Sequence, residues 1–169
     1  MPQNPARELH RIVTTVIIYN DDGQFLITKR SPDKKAYPNK WTVPGGGLTI
    51  DDYINTPKTT GDAWYYALTE SMHRELKEET NVIIDKVRYL LDTTFIRPDN
   101  IPVIILSYYA HYVSGEIKLD EDSVAFAWIT PEEAKHYDLI EGIAEEIEMV
   151  DKIIKGASPD SVQFVPRKK

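Results

Sequence analysis

The stretch Ile101–Val113 (IPVIILSYYAHYV) constrains this chain more than any other. Its β-branched and aromatic side chains suit a pleated, packed surface, so it is expected as a central strand, and the rest of the chain must supply the sheet around it. Arg11–Tyr19 (RIVTTVIIY) and Phe25–Lys29 (FLITK) flank the turn signal Asp21-Asp22-Gly23 and predict two antiparallel strands. Ser31–Lys40, with two prolines and three lysines, predicts a surface loop. Trp41-Thr42-Val43 then predicts a short strand that stops at a turn, Pro44-Gly45-Gly46-Gly47.

Leu48–Gly61 holds no sustained period and is expected as a loop or insertion at about 48–61. From Asp62 to Thr80, Leu68, Met72 and Leu76 recur at four-residue spacing and predict a helix with one core-facing stripe. Asn81 closes it, because asparagine tolerates the left-handed conformation of a helix C-terminus. Val82–Ile96 predicts strands broken near Asp85, Arg97–Asn100 a turn, Gly115–Leu119 a further short strand, and Val124–Ile129 a return to the sheet. Thr130-Pro131-Glu132-Glu133 carries a cap, a proline and acids in the order of a helix start; Ile143, Ile147, Val150 and Ile154 mark an amphipathic helix ending at Gly156. This order of strands, helix, strands, helix predicts an α/β fold, a mixed central β-sheet with helices on its faces, in a single domain over 1–169.

Composition narrows the partners. With 20 basic against 27 acidic side chains, the net charge is −7 and the pI near 5.1. No bulk nucleic acid partner is expected, since such binding runs on Lys and Arg that displace counterions. The absence of cysteine removes disulfides, thiolate nucleophiles and cysteine-bound zinc. Apolar runs such as Val103–Leu106 are far short of the roughly 18–20 residues that span a bilayer, and no signal peptide opens the chain, so no membrane partner and a cytoplasmic location are expected.

The segment Arg74-Glu75-Leu76-Lys77-Glu78-Glu79 carries the chemical signal. A helix advances about 100° per residue, so Glu78 and Glu79 fall on either side of Glu75 and the three carboxylates share one face. Their repulsion is offset by Arg74, placed to pair with Glu78, and would be offset further by a multivalent cation. Clustered carboxylate oxygens suit Mg²⁺ or Mn²⁺. Taken alone, an acidic strip in an acidic protein is a solvated face. Gly45, Gly46 and Gly47 change the balance, because glycines let backbone groups approach a metal or phosphate closely.

Together these segments resemble the Nudix hydrolase family. The family's box is a glycine, five residues, a glutamate, seven residues, then Arg-Glu-apolar-any-Glu-Glu-any-Gly-apolar. Arg74–Val82 is similar to its second half, with Asn81 in the glycine's place; Gly46 and Asp52 look like its first half, with aspartate for glutamate. Between Asp52 and Arg74 lie 21 residues where the pattern has seven, an insertion of 14. The likeness runs on through Gln24–Arg30, Trp41–Gly46 and Ala127–Glu133, covering roughly Val13 to Ile154.

The resemblance implies an α/β/α sandwich and a divalent-metal-dependent pyrophosphohydrolase cleaving the diphosphate linkage of a nucleoside diphosphate derivative (nucleotide, nucleotide sugar or ADP-ribose type) by attack of water on phosphorus. It implies Glu75, Glu78, Glu79 and the Gly46 carbonyl as ligands of Mg²⁺ or Mn²⁺, with Arg74 orienting the carboxylates. The proton acceptor falls to Glu79 or to the acidic run Asp120–Asp122, where Glu121 is the residue chosen. Arg30 is expected to reach phosphate beside Gly45, Gly46 and Gly47. Trp64, Tyr65 and Tyr66 are read as packing the insertion down rather than stacking on a base, and Arg97-Pro98 as a turn. His10, His73, His111 and His136 show no metal-ligand spacing and are read as structural. A homodimer is compatible with the resemblance. Two rival readings are a non-catalytic nucleotide sensor, which would have lost box carboxylates, and an isopentenyl diphosphate isomerase-like enzyme, which would need a cysteine.

Overall fold

In the computed structural model, residues 8–167 are described. Eight strands form a mixed sheet: β1 Arg11–Tyr19, β2 Phe25–Arg30, β3 Trp41–Thr42, β4 Gly45–Gly47, β5 Ile83–Ile84, β6 Arg88–Ile96, β7 Pro102–Ser114 and β8 Ser123–Ile129. Two helices accompany it, α1 Ala67–Thr80 and α2 Ile143–Ile154. β7 is central as expected: it runs parallel to β1, from Arg11 opposite Val103 to Tyr19 opposite His111, and pairs antiparallel with β5 and β6. β2 pairs with β1, β3 and β8, all antiparallel.

Alternation along β1 and β2 builds two cores, one on each face. Val16, Ile18 and Leu26 pack with Met72 and Leu76 of α1 and with Val82, Ile84 and Ala110. Ile17, Phe25 and Ile27 pack with Ile143, Ile147 and Val150 of α2 and with Tyr109 and Ile129. Each helix thus buries its apolar stripe against one side of the same strands, which is the expected α/β/α layering.

Four local expectations change. The glycines do not turn freely; they form β4, antiparallel to β1, with Gly45, Gly46 and Gly47 opposite Thr15, Thr14 and Val13. α1 begins at Ala67, not Asp62, because Tyr66 takes a left-handed conformation (φ 66°) that no preceding helical turn can share. Residues 115–119 are not a strand: the Lys118 and Asp120 amides donate to Thr80 and Glu79 carbonyls at the end of α1, at 3.1 and 3.3 Å, so no strand ladder claims them. Thr130 and Glu133 cap one another reciprocally, at 2.8 and 3.3 Å, but over a single 3-10 turn, Glu133–His136, before α2 starts. Asn81 does end α1, at φ 58°.

Candidate functional site

The geometry of the site starts from β4. Gly46 faces α1, and a Cβ there would collide with the Glu75 carboxylate, so only glycine lets that side chain lie against the strand. The Gly45 amide donates to Glu79 Oε2 at 3.1 Å, which ties the last turn of α1 to the same strand. The Gly46 carbonyl accepts a long bond from Thr14 Oγ1 at 3.5 Å.

Arg74 is the hub of the exposed side. Its guanidinium donates to Glu75 and Glu78, each at 2.6 Å, and to Asp52. Asp52 is nearly buried, is bonded by the Thr49 amide at 2.6 Å and by Ser71, and is held below the usual carboxylate range by those bonds and by Arg74, against burial that raises it. The insertion is therefore anchored at its first residues to the arginine that holds the helix carboxylates. Beyond Asp52, Trp64 packs as expected, against Tyr53 at 5.2 Å and through a bond to the Thr56 carbonyl at 2.9 Å. Tyr65 and Tyr66 do not; both are exposed.

Glu79 differs electrostatically from its neighbours. Burial, with the negative charges of Asp120, Glu75 and Asp122 around it, pushes its carboxyl up to about 8, although the Gly45 amide pulls the other way. Within the acidic run, Asp120 and Asp122 are the half-buried residues acting on Glu79, whereas Glu121 is exposed between them. The structure thus brings the neighbours of Glu121 to the site rather than Glu121 itself. The Asp122 amide donates to Asp120 Oδ1 at 2.9 Å in this turn, a contact that sets the two aspartates together. Arg30, at the end of β2, is also half-buried and lies in the field of Glu79 and Asp122, with its Nε donating to the Ala36 carbonyl at 3.0 Å.

Whether these residues suit a divalent cation is decided by their chemistry and their strain. They are oxygen donors only, and they crowd like charges beside a strand whose missing side chain leaves a cradle. Both features fit a hard cation. As the side chains stand, Arg74 holds Glu75 and Glu78, and among the described residues no three acidic or histidine side chains are gathered into an ion cage. Coordination would draw Glu75 and Glu78 off the arginine. Among the histidines, His10 and His111 bond to the Glu8 carbonyl and to Asp21, at 3.2 and 2.8 Å, while His73 and His136 are exposed.

One residue had been passed over in the sequence. Glu146 lies one position before Ile147 on the apolar stripe of α2 and is only 7% exposed. A glutamate within an apolar stripe was the signal for it.

With the geometry in place, comparisons with known proteins agree. A NUDIX domain family model matches residues 9–150. The nucleoside triphosphatase NudI of Escherichia coli (strain K12) is 25% identical over 139 residues, 76% of this chain and 88% of that protein. Among solved structures, the MutT protein of Methanosarcina mazei Go1 superposes with a TM-score of 0.64 at 22% identity, over 86% of this chain and 96% of its own. The NUDIX domain of Shewanella oneidensis NrtR, complexed with ADP ribose, gives 0.65 at 15% identity, over 90% and 93%.

Proposed function

Since the chain belongs to the NUDIX family, whose members hydrolyse phosphoanhydride bonds of nucleoside diphosphate derivatives, we propose that it cleaves a diphosphate linkage in such a substrate at the β4–α1 site. Water attacks phosphorus, and the reaction depends on Mg²⁺ or Mn²⁺. The observation that carries this reading is the buried Glu79 carboxyl. It is held by the Gly45 amide in the field of Asp120, Asp122 and Glu75, next to Gly46, whose missing side chain lets the Glu75 carboxylate lie against the strand.

Glu75, Glu78, Glu79 and the Gly46 carbonyl would hold the cation. When bound it neutralises the diphosphate and promotes attack by water. The remaining work falls to the chain. Arg74, fixed by Asp52, positions Glu75 and Glu78 until substrate and cation arrive. Glu79, held against β4 by the Gly45 amide, is the residue proposed to accept the proton of the attacking water. Asp120 and Asp122 add negative charge beside it. Arg30, the nearby cation with a half-buried head, is suited to bind the phosphate on the β2 side.

Phosphate release from a panel of nucleotides, nucleotide sugars and ADP-ribose, with and without Mg²⁺, tests the reading. Expected is metal-dependent turnover of at least one member, lowered by orders of magnitude in Glu78→Gln. Binding without turnover by the wild type would mean a sensor instead. Among the described residues no helix is long and apolar enough to cross a membrane; a cytoplasmic location is part of the same proposal.

A further inference from the structure

The three glycines of β4 make room for three different neighbours. A Cβ on Gly45 would strike the backbone of Thr14 and Thr15, so that residue seats β4 against β1. One on Gly46 would strike the Glu75 carboxylate, on the α1 face. One on Gly47 would strike the guanidinium of Arg11, coming within 2.9 Å of Cζ. Successive residues of a strand point to opposite faces, so Gly47 looks away from α1. Arg11 belongs to that second face: it stands two residues before Val13, the partner of Gly47, and Val13 alternates in step with Ile17 of the core under α2.

The other described arginines are engaged. Arg74 is held by Asp52, Glu75 and Glu78, Arg88 by Asp85, Arg97 by Asp99 and Arg167 by Glu148, while Arg30 gives its Nε to the Ala36 carbonyl. Among the described residues Arg11 is the arginine whose side chain makes no hydrogen bond or ion pair, and it is exposed at the first position of β1. Nor does the backbone at Gly47 call for glycine, since its φ lies outside the left-handed region. What the missing side chain provides is a seat for the guanidinium against the strand. In a chain of net charge −7, a free fork of donors thus lies one residue along from Gly46, across β4 from the carboxylates. Such a fork matches phosphate through two parallel N–H···O bonds.

We propose that Arg11 binds a third phosphate of the substrate, one outside the scissile diphosphate, and so narrows the substrate class to nucleoside diphosphate derivatives that carry an additional phosphate, which rests on the reading of the β4–α1 site as one for such derivatives. The carboxylate side of β4 and Arg30 take the scissile pair. A further dianionic group reaching past Gly47 meets Arg11 instead. That group has two chemical sources: it continues the chain in a nucleoside triphosphate, or it is a monoester on the ribose. A neutral sugar in its place offers Arg11 only hydroxyls, which gain little over water.

The test is equilibrium binding in Ca²⁺, with ligand integrity checked by chromatography, of ATP against ADP and of ADP-ribose 2′-phosphate against ADP-ribose. Wild type is expected to prefer the phosphate-bearing member of at least one pair by about tenfold or more, the scale of hydrogen bonds to a charged group. A preference in the first pair puts the phosphate on the chain, in the second on the ribose. Arg11→Gln should lower that preference about tenfold and leave ADP and ADP-ribose within about twofold, which also shows the fold intact. Gly47→Ala, whose methyl group displaces the guanidinium, should lower it too, and add nothing in the Arg11→Gln background, because both act through one contact. Lys152→Gln removes the same charge from an exposed position on α2 and should leave the preference unchanged. No preference in wild type overturns the proposal, as does a preference that survives in Arg11→Gln, an equal loss of ADP and ADP-ribose, or an equal effect of Lys152→Gln. Wild type that shows the Arg11-dependent preference but hydrolyses nothing in Mg²⁺ refutes the hydrolase reading and leaves this one standing. Wild type that hydrolyses, with affinities that Arg11→Gln does not alter, does the reverse.

Discussion

Replacing Glu146 by glutamine changes how stability depends on pH, by an amount that follows from its surroundings. Burial pushes this carboxyl from 4.5 up to about 7; the neighbouring Glu145 charge adds to that rise, and the Ser107 bond opposes it. Glu145 itself accepts from the Arg167 amide at 3.1 Å, so the charge nearest Glu146 is partly engaged by the chain's end. The folded-state value lies above the unfolded one, so between them the folded protein holds more protons. Stability therefore falls as pH rises through this window. The difference of 2.5 between the two values corresponds to about 3 kcal/mol at 1.36 kcal/mol per pH unit, most of it lost between pH 5 and pH 8. Glu146→Gln cannot titrate and escapes that loss, whatever constant offset its amide introduces.

Urea unfolding of both proteins at pH 5 and pH 8, without metal, measures this. The difference in unfolding free energy, variant minus wild type, should grow by about 2–3 kcal/mol between the two pH values, a relative midpoint shift of about 1 M at ordinary urea slopes. Glu79 titrates in the same range but is common to both proteins and cancels. Parallel wild-type and variant stabilities from pH 5 to pH 8 would refute the assignment of Glu146 as a buried acid.

Other outcomes follow from the site. Glu79→Gln is expected to lower kcat at least about 100-fold, while the metal-free variant gains stability over wild type above pH 8, where the buried carboxylate is charged; kinetics and melting curves at pH 8.5 check both. Gly46→Ala places a methyl group against Glu75 and should lower kcat by more than about tenfold, with the required Mg²⁺ concentration raised, as a metal titration of turnover would show. Asp52→Asn loosens Arg74 and should lower kcat/KM about tenfold, with far-UV circular dichroism unchanged. Asn81→Ala forces an alanine into a left-handed cap and removes bonds to Lys77 and the Glu116 carbonyl, costing about 1–2 kcal/mol in urea unfolding.

The parts of the molecule that local chemistry specifies were legible before any coordinates. β-branched density marks β7, the Asp21-Asp22-Gly23 turn joins β1 to β2, four-residue spacing defines the buried side of α1, and Asn81 ends it because its side chain tolerates φ 58°. Arg74, Glu75, Glu78 and Glu79 belong to the same class, since the pitch of one helix suffices to gather them. What the sequence left open depends on partners far along the chain. The glycines become a strand only because β1 offers a free edge opposite Thr14. Residues 115–119 lose their strand to the carbonyls at the end of α1. Asp120 and Asp122 come into the field of Glu79, with Glu121 exposed between them, once that loop is fixed. Tyr37 meets Phe95 across 58 positions of sequence, and Glu146 meets Ser107 across 39. Backbone preference and periodicity act over a few residues; burial, orphaned atoms and shifted carboxyls arise only when distant segments exclude water from one another, and that exclusion is what the tertiary structure alone decides.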